Sequence, residues 1–396
     1  MLFGRKLLEM LKAKINDEDI IVVTGQRRTG KTTLLRMLFD TIPSENKAFL
    51  DFENPIEQRV FEEQDYNNIL ANLSQYGISK GSQPYVFIDE VQYKPEVVRA
   101  VKYLYDHHKV KFFITGSSSF YIKDMFPESL AGRKAVYELY PLDFSEFLTF
   151  KAAGTHELPK SFAQKHLEKN EIEYEKLKAY YSEYLLFGGF PAVVLANGEA
   201  RKKELLLDVF KSYFEKDVRV MADFRNLNAF RDVLLLLLAR TGSKVDVSKI
   251  ASEIGVSRPT IQSYLSFLEN TYFLHFLSPF SQNPDREVSG SRKVYACDNG
   301  IANLFGHASE GALFENAVFL NLRKHGKVNY YQRRHGPEID FILDSGAVAL
   351  EAKTTASETD VRKLSRNAES AFGKREHYVV TRNYSTVEGT LPAYMI

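Results

Sequence analysis

The chain has 396 residues, a length that predicts roughly two to four domains rather than a single core. Its 44% hydrophobic and 26% charged residues are typical of globular proteins and exclude long disorder. The formal net charge of +1 excludes a surface that is basic throughout, so any contact with nucleic acid must come from a local patch. The single cysteine, Cys297, excludes an intramolecular disulfide framework and fits a reducing compartment.

The N-terminal segment and the most apolar run predict neither export nor membrane insertion. Charged residues interrupt the N-terminal apolar stretch, which leaves no export signal. The run Val233–Ala239 is about a third of the roughly 20 residues that a membrane span needs, so we interpret it as a buried helix. We therefore expect a cytoplasmic protein with no membrane partner.

Between residue 20 and about residue 150, short apolar runs alternate with helical patterns. Turn or polar residues bound each run, and this spacing predicts a parallel β-sheet with helices on both faces. The predicted strands are Ile20–Thr24, Ala48–Phe52, Tyr85–Asp89, Lys111–Thr115 and Ala135–Leu139.

Directly after the first predicted strand, the chain matches G-x-x-x-x-G-K-[ST], the P-loop pattern. The backbone N–H groups of such a loop, together with the N-terminus of the next helix, suit a polyphosphate. Lys31 would neutralise β- and γ-phosphate oxygens, and Thr32 would offer its hydroxyl to Mg²⁺. These residues predict ATP and Mg²⁺ as cofactors. The predicted nucleotide-binding residues are Gly25, Gln26, Arg27, Arg28, Thr29, Gly30, Lys31, Thr32 and Thr33.

Two later strands end in residues suited to phosphate chemistry. Asp89 would hold the magnesium shell, and Glu90 would polarise the attacking water, although an acidic pair at a strand end can also be merely solvated. Thr115 and Ser117 are candidates to sense the γ-phosphate; an ordinary strand-to-helix turn is the alternative. Arg133 is a candidate arginine finger for the ATP of the same chain or of a neighbouring subunit in a homo-oligomer, and a surface salt bridge is the alternative.

After Pro141 the pattern becomes helical up to about Arg225, with one break at Gly188-Gly189-Phe190-Pro191. We interpret this part as a helical lid with one sharp turn.

Residues 226–285 contain two helices with clean helical periodicity, separated by Gly255. Asp246 and Ser257 are the predicted N-caps, and the pattern predicts a winged helix-turn-helix. Only one cation is available for DNA on the second helix, so base readout looks weak, and a structural relay to the nucleotide domain is the alternative. The side chains that could reach DNA are Arg258, Thr260, Gln262, Ser263 and Ser266.

The last part of the chain predicts an α/β domain with a hairpin that carries Asp340 and Glu351 on adjacent strands. Alternation along the strand puts Glu351 and Lys353 on one face, where two carboxylates could hold Mg²⁺ or Mn²⁺ and the ammonium could orient water. The alternative is a salt-bridged hairpin in which Lys353 neutralises both carboxylates. The predicted strands are Val328–Tyr331, Ile339–Leu343, Ala347–Ala352 and His377–Thr381.

On these motifs the chain resembles the AAA-type archaeal and bacterial ATPases related to STAND proteins. The resemblance covers nearly the whole chain and implies a lid, a winged helix and a nuclease-like tail. The segments that carry it are Thr24–Leu35, Val86–Glu90, Ile114–Ser118, Leu130–Arg133, Pro141–Phe147 and Gly188–Pro191.

The C-terminal hairpin resembles the PD-(D/E)xK nuclease core. Glu315, in the preceding helix pattern, matches the additional acidic residue of that core. Arg333, Arg334 and His335 precede the hairpin as a cationic cluster suited to phosphate.

Together, these patterns predict an α/β protein in four parts: an ATPase domain (1–150), a lid (151–225), a winged helix-turn-helix (226–285) and a nuclease-like domain (286–396). The leading hypothesis is a magnesium-dependent ATPase that acts on DNA, or is regulated by it, through its C-terminal half. The alternative is a STAND-like signalling or defence switch whose tail is a protein-interaction module without nuclease activity.

Overall fold

The computed structural model describes nine stretches of the chain, two of which are single residues. The chain divides into two compact units. The first unit is Met1–Tyr140 with Asn270–Tyr272, and the second is Pro141–Glu269 with Phe273–Ile396. The described residues are 3–79, 81–117, 132–154, 161–219, 224, 226–281, 287, 290–333 and 336–396.

A five-stranded parallel sheet forms the centre of the first unit. Its strands are β1 (Ile20–Thr24), β2 (Lys47–Asp51), β3 (Tyr85–Asp89), β4 (Lys111–Gly116) and β5 (Lys134–Glu138). Their order across the sheet is β2-β3-β4-β1-β5, with every neighbouring pair parallel. The predicted parallel sheet is therefore confirmed, and each strand boundary lies within one residue of the prediction.

Both faces of this sheet are covered by apolar packing, which follows from the alternation of side chains along each strand. Ile20 and Val22 of β1 belong to one apolar cluster, and Ile21 and Val23 belong to the other. Because the strands are parallel, the carboxyl ends of β1, β3 and β4 lie at the same edge. The helices of this unit are α1 (Lys6–Lys12), α2 (Lys31–Thr41), α3 (Pro55–Gln58), α4 (Asn67–Leu73) and α5 (Val97–His108), with 3₁₀ turns at Arg59–Phe61, Ser74–Tyr76 and Val91–Tyr93.

The second unit begins with helices. They are α6 (Phe144–Phe150), α7 (Phe162–Glu168), α8 (Glu171–Phe187), α9 (Pro191–Leu195), α10 (Glu199–Ser212) and α11 (Leu227–Ala239), with a π-helical turn at Tyr213–Val218. The apolar run predicted as a buried helix lies in α11, where Val233, Leu234, Leu237 and Leu238 are buried. Within the described part of the chain, no helix combines the length and the apolar character needed to traverse a membrane.

The two helices predicted for residues 226–285 are present, and their N-caps form as expected. The helices are α12 (Val247–Ile254) and α13 (Arg258–Asn270), and the strands β6 (Leu274–Leu277) and β7 (Lys293–Ala296) follow as an antiparallel pair. Asp246 accepts a 3.0 Å hydrogen bond from the Lys249 N–H, and Ser257 accepts one of 3.2 Å from the Thr260 N–H. Gly255 ends α12 with a left-handed φ of 74°.

A second, mixed sheet forms the C-terminal part of this unit, with strand order β12-β11-β10-β9-β8. Strands β8, β9 and β10 are antiparallel neighbours, whereas β10, β11 and β12 are parallel. Four of these strands match the predicted ones; the three-residue β12 was not predicted. The elements are α14 (Asn299–Gly306), α15 (Glu310–Leu322), β8 (Val328–Gln332), β9 (Glu338–Leu343), β10 (Val348–Lys353), α16 (Glu358–Phe372), β11 (Glu376–Thr381) and β12 (Thr390–Pro392), with 3₁₀ turns at Arg323–His325, Asp344–Gly346 and Ala393–Met395.

The buried carboxylate of Asp298 joins distant segments of the second unit. It accepts hydrogen bonds from the N–H groups of Gly189 (2.6 Å) and Gly300 (2.8 Å). Burial raises the pKa of Asp298 to about 7, although these backbone donors act in the opposite direction. The Leu142 N–H donates to the Gly189 carbonyl at 2.8 Å. The Gly188–Pro191 segment, used above for its resemblance to a family, therefore has a structural role.

We expect Gly188→Ala to destabilise the protein strongly. Gly188 has a φ of +73°, and a Cβ there would lie 2.0 Å from an Asp298 carboxylate oxygen. Gly198 is a matched control, because its φ is +78° and a Cβ there would meet no atom within 4 Å. Backbone strain alone costs about 1–3 kcal/mol, and the steric clash at Gly188 adds about 1–3 kcal/mol. Urea unfolding should therefore show a clearly larger loss of unfolding free energy for Gly188→Ala than for Gly198→Ala. Equal losses in the two variants would contradict the close approach of Gly188 to the Asp298 carboxylate.

Candidate functional site

The loop between β1 and α2, residues 25–30, requires glycine at two positions. Gly25 has a φ of 144°, and a Cβ there would lie 2.1 Å from the Leu139 carbonyl oxygen. Gly30, the N-cap of α2, has a left-handed φ of 93°. These two residues let the backbone turn tightly so that the N-terminus of α2 faces the loop, the geometry that suits a bound phosphate.

Lys31 lies inside this loop rather than in solvent. Its exposed fraction is 4%, and its ammonium donates to the carbonyl oxygens of Gly25 at 2.8 Å and Gln26 at 3.0 Å. These acceptors are neutral, and hydrogen bonds between an ammonium and anionic oxygens are stronger. The side chain can thus exchange its carbonyl partners for phosphate oxygens.

The remaining predicted loop residues fall into two groups. Arg27 and Thr29 are buried, and the Thr29 hydroxyl donates to the Gln26 carbonyl at 2.8 Å. Arg28, with a φ of 66°, and Thr33 are exposed. The exposed pair is therefore accessible to a ligand from solvent.

The structure brings together the residues predicted to hold magnesium. Asp89, at the end of β3, is buried, and its carboxylate accepts a hydrogen bond from the Thr115 hydroxyl. Burial raises the pKa of Asp89, and the Thr115 and Thr32 side chains partly oppose the shift. Hydroxyl and carboxylate oxygens are ligands that Mg²⁺ accepts, so Thr32 and Asp89 fit this ion.

Thr115 also fixes the position of the next acidic residue. Its hydroxyl oxygen accepts a 3.0 Å hydrogen bond from the N–H of Glu90, which has a left-handed φ of 55°. One Glu90 carboxylate oxygen accepts a hydrogen bond from the Gln92 amide, and the other lies 3.9 Å from an Arg27 nitrogen. Gln92 in turn accepts a 3.3 Å hydrogen bond from the Ser117 N–H. Glu90 is therefore held beside the P-loop by Gln92 and Arg27.

Arg5 contacts the P-loop although it lies outside every motif found in the sequence. It is 7% exposed and donates to the Thr29 carbonyl at 2.9 Å and to the Tyr140 carbonyl at 2.8 Å. The buried side-chain amide of Gln26 forms no hydrogen bond with the described residues. Neither Arg5 nor Gln92 could be found by motif spacing, because their roles depend on backbone and side-chain positions in the fold.

The structure places Arg133 away from the nucleotide loop. Arg133 precedes β5, and the Ile20 N–H donates to its carbonyl at 2.8 Å, so it lies where β1 begins, whereas the P-loop follows the other end of β1. A five-residue strand spans about 16 Å. The Arg133 guanidinium lies 2.7 Å from both carboxylate oxygens of Asp106. The structure therefore does not bring Arg133 to the P-loop of the same chain, and its action on the ATP of a neighbouring subunit stays a prediction.

In the C-terminal part, a buried lysine lies among three carboxylates. The Lys293 ammonium is 2.6 Å from Glu338, 3.4 Å from Glu315 and 3.6 Å from Asp340, and its side chain is 5% exposed. We call these four residues the Lys293 cluster. Burial disfavours the ammonium, but the attraction of the carboxylates outweighs burial and raises the pKa of Lys293. Burial also raises the pKa of Glu315, which accepts a 2.7 Å hydrogen bond from the Tyr295 hydroxyl.

The predicted divalent-cation site does not form in this arrangement. Lys353 lies 3.1 Å from Glu351 and 3.5 Å from Asp360, which confirms that Glu351 and Lys353 share a face. Asp340 accepts a 3.0 Å hydrogen bond from the Ala352 N–H and has Lys293 as a cationic neighbour. Among the described residues, no group of three or more His, Cys, Asp or Glu could hold a metal ion. Asp340 and Glu351 each have an ammonium neighbour instead.

The sequence interpretation of this region missed Lys293, Tyr295 and Glu338. Lys293 and Tyr295 are two residues apart on β7, so they share a face, but nothing in their spacing relates them to Glu315. Among the predicted cationic residues that precede the hairpin, Arg333 is exposed. Arg334 and His335 lie outside the described residues.

Known families match three successive parts of the chain. An AAA domain family, AAA_14, matches residues 17–148. Two families described as domains of unknown function, DUF8612 and DUF4143, match residues 178–310 and 310–391.

Similar proteins extend over most of the chain. The uncharacterized protein MJ1544 of Methanocaldococcus jannaschii is 30% identical over 344 residues, which cover 84% of this chain and 74% of that protein. An uncharacterized protein of Haemophilus influenzae is 28% identical over 370 residues, which cover 88% of this chain and 86% of that protein. The Walker-type ATPase PABY2304 of Pyrococcus abyssi has a similar fold, with a TM-score of 0.50 at 16% identity over 77% of this chain and 96% of that one. The chain therefore belongs to the protein family of MJ1544 and carries an AAA-type P-loop ATPase domain.

Proposed function

We propose that the chain binds ATP with Mg²⁺ at the P-loop and hydrolyses the γ-phosphate bond. The observation that carries this proposal is the approach of the P-loop to the end of β3, where Arg27 lies 3.9 Å from Glu90 and the neighbouring Asp89 is buried against the Thr115 hydroxyl. Lys31 neutralises phosphate oxygens, Thr32 and Asp89 hold Mg²⁺, and Glu90 polarises the attacking water. Bound Mg²⁺ would supply charge neutralisation at the β- and γ-phosphates.

The contacts of the site support a switch between two arrangements. Lys31 donates hydrogen bonds to loop carbonyls, and Glu90 contacts Gln92 and Arg27. Phosphate oxygens compete for Lys31 and Arg27, and release of Arg27 leaves Glu90 able to accept a proton from water. In this proposal, nucleotide binding itself makes Glu90 available as the general base.

We expect Lys31→Ala to abolish ATP binding, because the variant loses the ammonium that neutralises the phosphates. Lys12→Ala is a suitable control, because Lys12 pairs with Glu9 on an exposed helix surface. Isothermal titration of both variants with ATP, in Mg²⁺ and in EDTA, measures the effect. Wild-type affinity in Lys31→Ala, or affinity that is independent of Mg²⁺, would contradict the site.

DNA is the partner that we propose for the helix-turn-helix. Arg258, Gln262 and Ser263 are exposed on α13, where they could reach a groove. Two nearby cations are already paired, since Arg240 contacts Glu253 at 2.8 Å and Arg292 contacts Glu269 at 2.9 Å. Because phosphate contacts dominate affinity and these two cations are paired, we propose weak DNA binding that regulates ATP turnover rather than recognition of a specific sequence.

The Lys293 cluster favours a second candidate, the STAND-like signalling or defence switch. Its three carboxylates surround an internal ammonium that lies where a metal ion would be needed, which supports a tail that binds a protein partner instead of cutting DNA. ATP turnover measured with and without single-stranded, duplex and branched DNA, at a fixed salt concentration, separates the candidates. DNA-stimulated turnover supports the first; very slow turnover with nucleotide-driven oligomerisation supports the second.

A further inference from the structure

A cavity of about 510 Å³ lies in the second unit, and none of the four residues of the Lys293 cluster lines it. Thr354, which directly follows β10, and Arg382 and Asn383, which directly follow β11, line one side. Because β10 and β11 are parallel, these residues lie at the carboxyl ends of neighbouring strands, the edge at which open α/β sheets bind ligands. The volume lies within the roughly 300–1,000 Å³ of small-molecule pockets.

One residue of the cavity wall has a buried hydroxyl that pairs with none of the described residues. Tyr181, on α8, is 5% exposed and lines the cavity, and its hydroxyl forms no hydrogen bond with the described residues. Burial raises the pKa of Tyr181, so this hydroxyl keeps its proton and remains a donor. A buried donor without an acceptor destabilises a protein, and a ligand with an acceptor atom would remove that cost.

The cationic groups of the cavity favour an anion. Arg382 pairs with Glu310 at 3.1 Å, and the Glu310 side chain is 86% exposed. Lys178, which also lines the cavity, pairs with Glu175 at the surface. Exposed ion pairs are weak, so an incoming phosphate or carboxylate can compete for both cations. The planar guanidinium of Arg382 suits two-point binding of phosphate oxygens.

Aromatic side chains provide surfaces for a planar ring. Tyr174 and Tyr394 line the cavity, with ring centroids 6.5 Å apart, and buried Leu177 adds an apolar surface. The Tyr174 ring also lies 5.9 Å from the ring of Tyr384. Tyrosine rings stack on nucleobases with little sequence preference.

We propose that this cavity binds a nucleoside monophosphate group. Its phosphate contacts Arg382, its base packs against Tyr174 and Tyr394, and one of its acceptor atoms takes the hydrogen bond of the Tyr181 hydroxyl. The same chemical group occurs in a free nucleotide and in single-stranded nucleic acid, and the experiment below distinguishes these two sources.

Isothermal titration of the full chain carrying Lys31→Ala, which removes the P-loop lysine, tests the proposal. The probes are UMP, AMP, uridine, inorganic phosphate and a four-nucleotide thymidine strand. UMP or AMP should bind at least about tenfold more tightly than uridine or phosphate, because only the nucleotides use both the cation and the rings. Tighter binding of the strand identifies nucleic acid as the source, and tighter binding of the mononucleotides identifies free nucleotide.

Three further substitutions in the same background locate the binding. Arg382→Gln should weaken nucleotide binding at least about tenfold, and Tyr181→Phe about two- to tenfold, as expected for charged and neutral hydrogen bonds. Tyr181→Phe should leave the unfolding midpoint unchanged or raised, because the hydroxyl that it removes is unpaired. Arg201→Gln is the control, because Arg201 pairs with Glu204 at an exposed surface. Absent binding, equal binding in Arg382→Gln, or phosphate binding as tightly as nucleotide would overturn the proposal.

Discussion

Glu90→Gln is expected to bind ATP as tightly as the wild type and to hydrolyse it about 10²- to 10⁴-fold more slowly. The substitution keeps the size of the side chain and its contact with Gln92, but it removes the negative charge that would accept a proton from water. Thr115 still holds the backbone of residue 90, so the loss of activity reports on the missing carboxylate charge alone. Single-turnover hydrolysis, measured together with the dissociation constant of ATP, distinguishes the chemical step from binding.

A control substitution makes this result specific. Glu62→Gln changes a carboxylate that pairs with Lys94 at the protein surface, and it should leave turnover within about twofold of the wild type. Equal turnover in Glu90→Gln and wild type would remove Glu90 from the mechanism. Lost binding in Glu90→Gln would mean that its contact with Arg27 shapes the loop instead.

Lys293→Met should lower the free energy of unfolding by about 3–5 kcal/mol near pH 8, because it leaves buried carboxylates without their counter-ion. Methionine keeps most of the apolar stem, so the effect reports chiefly on the charge. Guanidinium unfolding followed by circular dichroism measures this change in the free energy of unfolding. Lys244→Met is the matched control: Lys244 lies 3.3 Å from Glu338 but is 32% exposed, and its loss should cost less than about 1 kcal/mol.

The effect of Lys293→Met should depend on pH in one direction. Burial raises the pKa of Glu315, so this carboxyl binds protons more readily in the folded than in the unfolded chain. Its contribution to stability is therefore present at low pH and is lost as pH rises through the folded pKa. Lys293 opposes this shift, so the variant should lose less stability near pH 5 than near pH 8. A loss that is independent of pH would indicate a packing defect rather than an unpaired charge.

The elements and the nucleotide site could be predicted from local sequence because their signals are local. The strand Tyr85–Asp89 is a short apolar run that ends in carboxylates, and the P-loop follows a strand directly. The caps Asp246 and Ser257 lie next to the helices that they begin. Periodicity and spacing carry this information without any knowledge of tertiary contacts.

The contacts that decide the C-terminal chemistry could not be predicted in this way. Lys293 lies 22 residues before Glu315, and the pairing depends on how β7 packs beside α15 and β9. The pattern of Asp340, Glu351 and Lys353 correctly predicted a shared face for the last two. It gave no sign of the second ammonium that neutralises Asp340. Arg5 is a similar case in the ATPase domain, because the carbonyls that it binds belong to loops far along the chain.

The hydrogen bond between Gly189 and Asp298 also sets an order of events during protein synthesis. Residue 298 is added 109 residues after residue 189, which takes about 5 to 20 s at roughly 5–20 residues per second. Until then the turn at Gly188 and Gly189 lacks its carboxylate acceptor, and helices α8 and α11 have no α14 to pack against. The N-terminal helices of the second unit therefore cannot complete their packing until about three quarters of the chain has been made.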